Sequence, residues 1–285
     1  MLLLTGATGT VGSELVKALA STGTPARVLV RDDSKAASLP NGMTAVAGDF
    51  ADKDSLKRAL DGVETAFLLP PFTPSAVDHQ LTFIAAAREA GVKRIVKLSA
   101  MGTAPDGIVE FMRWHAVGEQ ELKESGMAWT CVQPNGFMQN VLGMAGLIAG
   151  QGIIPAPAAD SRISHIDVRD IAASVAQMLT TVGHEGKTYV LTGPAAITYD
   201  EIAADVSAAI GKPVSYVPLT DQQFVDGLTS TGAPGWMAKG VSELYALYRT
   251  GAGSTVTDDV GLLTGRPAIP FAQFAKDYAS VLKGA

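Results

Sequence analysis

The chain has 285 residues, 47% of them hydrophobic and 18% charged, with a formal net charge of −6. That length and apolar content support a packed core and exclude long disordered tails, and an acidic balance without a run of Lys and Arg excludes nucleic-acid binding by charge. The single cysteine, Cys131, excludes both an intrachain disulfide framework and a cysteine zinc site, and a reducing cytoplasmic compartment is the expectation.

Met1 to Leu4 is apolar, has no basic stretch before it and reaches Gly6 within a few residues, so it reads as a first strand and not as a signal peptide. Short apolar runs follow at residues 27–30, 44–47, 64–69, 94–98 and 128–132. Helical spacing separates them, as in Val11, Leu15 and Leu19, or Leu81, Ile84, Ala85 and Ala86 before Gly91. Strand and helix in strict turn predict an α/β Rossmann fold, a doubly wound parallel sheet.

After Pro134 the rhythm changes. Residues 141–154 carry no charge but are interrupted by glycine and fall short of the roughly 20 residues a bilayer demands, so no membrane span is expected. A loop is predicted at 152–157 and a returning strand at 163–166, with Asp167 placed to cap a helix and Asp170 near its third position. Further strands are expected at 188–191 and 214–217, and helices at 199–210, 221–228 and 236–248. The predicted organisation is a Rossmann domain over 1–150 and a smaller α/β lobe over 151–285, partly interleaved with the main sheet.

The segment Thr5-Gly6-Ala7-Thr8-Gly9-Thr10-Val11-Gly12 follows the first strand and opens the first helix. In that context Gly6 permits a tight turn, Gly9 lets the backbone approach a pyrophosphate, and Gly12 lets the helix pack on the sheet. Helix N–H groups at Thr10 and Val11 would face the anion, aided by the helix dipole. The second strand ends in Arg31, a partner for the 2′-phosphate of NADP or, on the other reading, a solvated loop charge. Asp32 stands ready for a ribose and Lys35 for the same phosphate pocket. Asp49 and Phe50 end the third strand, where Asp49 either meets adenine or caps the next helix.

The loop at 6–12, Arg31, the run Ala128-Trp129-Thr130-Cys131-Val132-Gln133-Pro134-Asn135-Gly136-Phe137-Met138-Gln139-Asn140, and Gly183-His184-Glu185-Gly186-Lys187-Thr188-Tyr189 together resemble the NmrA-like atypical short-chain dehydrogenases/reductases. Within that family the resemblance is to NADPH-dependent azoreductases, triphenylmethane reductases and quinone oxidoreductases. It implies NADP(H) as cofactor and a small electrophilic substrate: azo, quinone, carbonyl or dye-like. No Tyr-x-x-x-Lys pair occurs, which leaves tyrosine-based proton donation unsupported. On the helix after the fifth strand, His115 and Glu119 share one face instead, as the resemblance implies for the reductases.

His115 is thus a candidate proton donor oriented by Glu119, or else a helix-surface histidine. Lys97 lies inside a strand expected to be buried and either reaches the cofactor edge or snorkels out. Leu69, Pro70, Ser99, Pro134 and Asn135 follow strands four to six and are candidates for the nicotinamide side. Pro134 and Asn135 serve equally well as a turn. Phe72, Trp114, Phe137 and Trp236 are candidates for an apolar substrate wall, against the ordinary role of such residues in a core. No metal-site spacing and no Gly-x-Ser-x-Gly elbow occurs. Two other functions stay open: a dinucleotide-binding regulator without turnover, and an epimerase or dehydratase, which the missing Tyr-x-x-x-Lys pair disfavours.

Overall fold

The computed structural model describes residues 1–31 and 39–284. Asp32 and Lys35 lie outside the described residues. The elements of the first half alternate as expected: β1 (Leu2–Leu4), α1 (Thr10–Ser21), β2 (Ala26–Val30), β3 (Met43–Ala47), α2 (Lys53–Leu60), β4 (Thr65–Leu68), α3 (Ala76–Glu89), β5 (Arg94–Leu98), α4 (Glu110–Glu124) and β6 (Ala128–Pro134). Later come a 3-10 segment (Met138–Met144), α5 (Ala145–Gln151), β7 (Ile153–Ala156), α6 (Val168–Thr180), β8 (Lys187–Leu191), α7 (Tyr199–Ile210) and β9 (Ser215–Pro218). The chain closes with α8 (Asp221–Ser230), α9 (Gly235–Arg249), α10 (Asp259–Thr264), α11 (Phe271–Asp277) and α12 (Ala279–Leu282).

Among the described residues seven strands form one sheet in the order β3-β2-β1-β4-β5-β6-β8, and every pairing from β3 to β6 is parallel. Strand order reverses between β1 and β4, the position where doubly wound sheets open a crevice at their carboxyl edge. β4 is buried at all four residues and β5 at its last four, as a sheet covered on both faces requires. α1 packs on α6 and α2 on α3. Leu3, Leu56, Leu68, Phe83, Ile84 and Ile95 are among the residues that close the core.

The chain divides into two compact units, but not at residue 150. The first comprises 1–106, 112–133 and 168–190; the second takes 107–111, 134–167 and 191–285. The interleaving arises because α6 and most of β8 return to the Rossmann sheet after the chain has begun the other unit. In the second unit, residues 153–156 are a strand where a loop was expected: β7 pairs in parallel with β9, with Pro155 opposite Val217. Residues 163–166 form isolated bridges, Ile163 to Ile197 and Ile166 to Phe137, and not a strand. The core of this unit joins Ile154, Ile163, Val206 and Phe274 to an aromatic group of Tyr199, Tyr245 and Tyr248. Among the described residues, no helix is long and apolar enough to cross a membrane.

Candidate active site

The glycine loop does what its spacing dictates. Gly6 has φ +66°, a left-handed conformation that favours glycine. A Cβ on Gly12 would lie 2.1 Å from the Gly6 carbonyl oxygen, so the start of α1 and the loop pack backbone to backbone. Gly9 is the N-cap of α1 and supplies no side-chain cap, whereas Asp52, Thr198 and Thr220 cap α2, α7 and α8. The first turn of α1 therefore presents N–H groups and dipole without a side-chain acceptor of its own.

Above this loop lies a groove of about 700 Å³ lined by residues that follow four adjacent strands: Gly6, Thr8 and Gly9 after β1, Arg31 after β2, Asp49 and Phe50 after β3, and Leu69 and Pro70 after β4. Eight of the residues singled out from the sequence thus meet in one place, while Thr10, Val11 and Gly12 stand behind them in α1. Asp49 does not cap α2: that cap is Asp52, which accepts from the N–H groups of Asp54 and Ser55, while Asp49 accepts from the Ala51 N–H at 2.9 Å.

Two lining residues escaped the sequence reading. Thr73 Oγ1 and His79 Nδ1 are buried and have no hydrogen-bond partner among the described residues. Polar atoms buried without a partner are costly, and both atoms line the groove, where a polar ligand would satisfy them. His79 also lies 5.9 Å from the Phe50 ring, centroid to centroid. The only sequence signal was position: Pro70 and Pro71 turn the chain at the carboxyl end of β4, and Thr73 and the start of α3 follow. The groove fits a dinucleotide: a close-approach glycine, an open helix N-terminus, an arginine at the ribose strand, and buried polar atoms awaiting partners.

A second cluster lies inside the same unit on β5, α4 and β6. Lys97 is fully buried, and its Nζ lies 3.2 Å from His115 Nδ1 and 3.4 Å from the Leu98 carbonyl. It does not snorkel. Glu119 accepts from Ser99 Oγ at 2.5 Å, Gln133 Nε2 at 2.8 Å and Lys123 Nζ at 3.1 Å. The group on His115 Nδ1 is therefore Lys97, and the expected orienting role of Glu119 is corrected. The shared helical face was right, but three donors from β5, β6 and α4 claim the carboxylate. Ser99, expected beside the cofactor, is buried and donates to Glu119.

Electrostatics follow from burial. Desolvation lowers the Lys97 amine to about 8, resisted by the negative charge of Glu119. Burial and then the Lys97 charge hold His115 well below its ordinary value. Burial pushes Glu119 up, but the hydrogen bonds from Ser99, Gln133 and Lys123 and the charge of Lys97 outweigh it, leaving the carboxyl below the ordinary range. At neutral pH the cluster holds an ammonium, a carboxylate and a neutral imidazole. Burial raises the Cys131 thiol to about 12, which removes it as a nucleophile.

Of the aromatic candidates, Phe72 and Trp114 pair in the first unit, with ring centroids 6.2 Å apart. Phe137 and Trp236 belong to the second unit, as do Pro134 and Asn135. Asn135 is a structural tie: its Nδ2 donates to Ser164 Oγ and the Gly253 carbonyl, and its Oδ1 accepts from the Gly136 N–H and the Tyr248 hydroxyl. Both donors and both lone pairs of that side chain are used, which fits the turn reading. Among the described residues no cluster fit for a metal occurs.

A reversed-order parallel sheet with this loop and groove defines a dinucleotide-binding oxidoreductase of Rossmann type. The chain belongs to the NmrA-like family, whose model matches residues 1–256. It is 43% identical over 286 residues to an NAD(P)H azoreductase of Xenophilus azovorans, covering 100% of both chains. It is 36% identical to a (4-alkanoyl-5-oxo-2,5-dihydrofuran-3-yl)methyl phosphate reductase of Streptomyces griseus, over 98% of each. The NADPH-dependent quinone oxidoreductase QOR2 of Escherichia coli, solved with NADPH, superimposes with a TM-score of 0.90 at 28% identity, covering 97% of this chain and 99% of that one.

Proposed function

We propose that the protein is an NADPH-dependent reductase that delivers hydride to a small electrophile: an azo compound, a quinone, a carbonyl compound or a related dye. The observation that carries this is the groove, in which an arginine, a close-approach glycine and two buried polar atoms without partners among the described residues converge beside an uncapped helix N-terminus. The full-length likeness to reductases supports it over a regulator without turnover.

NADPH supplies the hydride when bound. The residues of the chain bind and orient it. Gly9 and the first turn of α1 would hold the pyrophosphate, Arg31 the 2′-phosphate, and Asp49, Thr73 and His79 the adenosine end. For an azo, quinone or carbonyl substrate His115, a neutral imidazole on α4, donates the proton that follows hydride to the oxygen or nitrogen. Phe72 and Trp114 offer an apolar wall to a flat substrate, and the single buried thiol suits a reducing cytoplasm.

The test is consumption of NADPH, followed by its absorbance, while an azo dye, a quinone, a triphenylmethane dye and a diketone are added one at a time. Turnover of at least one is expected. Tight NADPH binding without turnover of any would favour the regulator.

A further inference from the structure

We propose that Lys97 acts behind His115, donating to Nδ1 so that the neutral ring carries its proton on Nε2, and refilling the ring after that proton has passed to the reduced substrate. The inference rests on the reading of His115 as the proton donor.

The geometry is built for this pair. Lys97 is fully buried in β5 with its Nζ 3.2 Å from His115 Nδ1. Helix α4 yields space for it at Gly118, where a Cβ would lie 2.1 Å from Gln80 Oε1 and 3.0 Å from Lys97 Cε. An ammonium has only donors, so a contact with Nδ1 makes that nitrogen the acceptor and leaves the ring proton on Nε2. The titratable and charged groups around the amine are His115, Glu119 and Lys123 from α4 and Cys131 from β6; α3 contributes the uncharged Gln80. Glu119 favours the ammonium, and the ammonium in turn keeps His115 neutral. The outcome is an imidazole that donates without being an imidazolium.

The proton count closes. Once hydride has reached an azo, quinone or carbonyl substrate, its oxygen or nitrogen carries the negative charge. The Nε2–H bond of His115 breaks and an O–H or N–H bond forms on the substrate. Nδ1 takes a proton from Lys97 Nζ, the ring stays neutral in its other tautomer, and Lys97 becomes a neutral amine. One proton from solvent, entering at Nε2, lets Nδ1 return its own to Lys97. No oxidation or reduction is involved beyond the hydride step itself. Lys97 is a positioning residue, since it reaches the substrate only through His115.

Nitrogen NMR of the cofactor-free, 15N-labelled protein tests the tautomer directly. In the wild type His115 is expected to show an unprotonated Nδ1 and a protonated Nε2 through the ordinary histidine range, with Nδ1 shifting as the pH rises past about 8. Lys97→Met should remove that alkaline shift and bring the His115 titration up toward its ordinary value. Turnover of a naphthoquinone and of a diketone supplies the second reading. The wild-type kcat should fall as pH rises through about 8, whereas Lys97→Met should lose on the order of 10²-fold in kcat, lack that limb and bind NADPH as before. A proton on Nδ1 in the wild type, an ordinary His115 titration, or an unchanged alkaline limb in Lys97→Met would overturn the proposal. If Lys97→Met does not fold, the wild-type spectrum and pH profile decide alone. A wild type with the stated tautomer but no turnover of any substrate refutes the reductase reading and the relay with it, whereas turnover with the opposite tautomer refutes the relay only.

Discussion

Lys97 opposes stability through its burial. Its amine lies at about 8 in the folded chain against an ordinary 10.5, a depression worth about 3 kcal/mol. Because the folded value is the lower one, the folded chain holds fewer protons than the unfolded chain between the two. The penalty is in full force below about pH 8 and fades as pH rises toward 10.5. Lys97→Met is therefore expected to gain stability at neutral pH, on the order of 1–3 kcal/mol, by denaturant unfolding. The gain should shrink at alkaline pH, and a variant less stable than wild type at neutral pH contradicts the account. At Arg31, an exposed side chain in the groove wall, replacement by alanine should weaken NADPH binding on the order of ten- to a hundredfold and leave NADH unaffected. Titration of both cofactors into both proteins checks it, and an equal loss for both contradicts it. The sequence could single out Lys97 and His115 by their odd placement, one in a buried strand and one at helical spacing from Glu119. It could not show which of them would meet, because contacts from β5 and β6 decide that. Thr73 and His79 were illegible for a similar reason: only the fold shows that their polar atoms are buried and without partners among the described residues.

At the scale of elements, the first strand, loop and helix form one device with separable parts. A Cβ at Gly12 collides with backbone, which cannot rotate away. Gly12→Ala is expected to destabilise the fold by about 1–3 kcal/mol. Among the described residues only the Gly6 carbonyl lies near the Gly9 Cβ position, at 3.3 Å, so Gly9→Val should stay folded and lose both cofactors. Circular dichroism with cofactor titration separates the two, and undiminished binding in folded Gly9→Val contradicts the site. The strands of the sheet were legible because β-branched and leucine-rich runs recur between helical spacings. Residues 153–156 were not, because Pro155 and flanking glycine and proline read as a loop, yet pairing with β9 makes them a strand. Residues 163–166 carried a strand pattern, but only their ends find bridge partners. Ser164 instead accepts from Asn135 and donates to the Thr255 carbonyl.

For the whole molecule, chain order and unit membership part company first at residues 107–111 and again from Pro134, which is why a boundary at 150 failed and the class of fold did not. Alternation of strand and helix specifies a Rossmann sheet without reference to distant segments. The return of α6 and β8 to that sheet depends on non-local pairing that no local pattern encodes. The Gly6 to Gly12 loop would hold NADPH, which would supply the hydride for a small electrophile. A single-turnover mixture of the protein with equimolar NADPH and a naphthoquinone, followed by absorbance and repeated with Gly9→Val, tests it most directly. The account predicts matched loss of NADPH and quinone with the wild type and neither with the folded variant. NADPH that stays reduced with the wild type, or is oxidised at the wild-type rate by Gly9→Val, would contradict it.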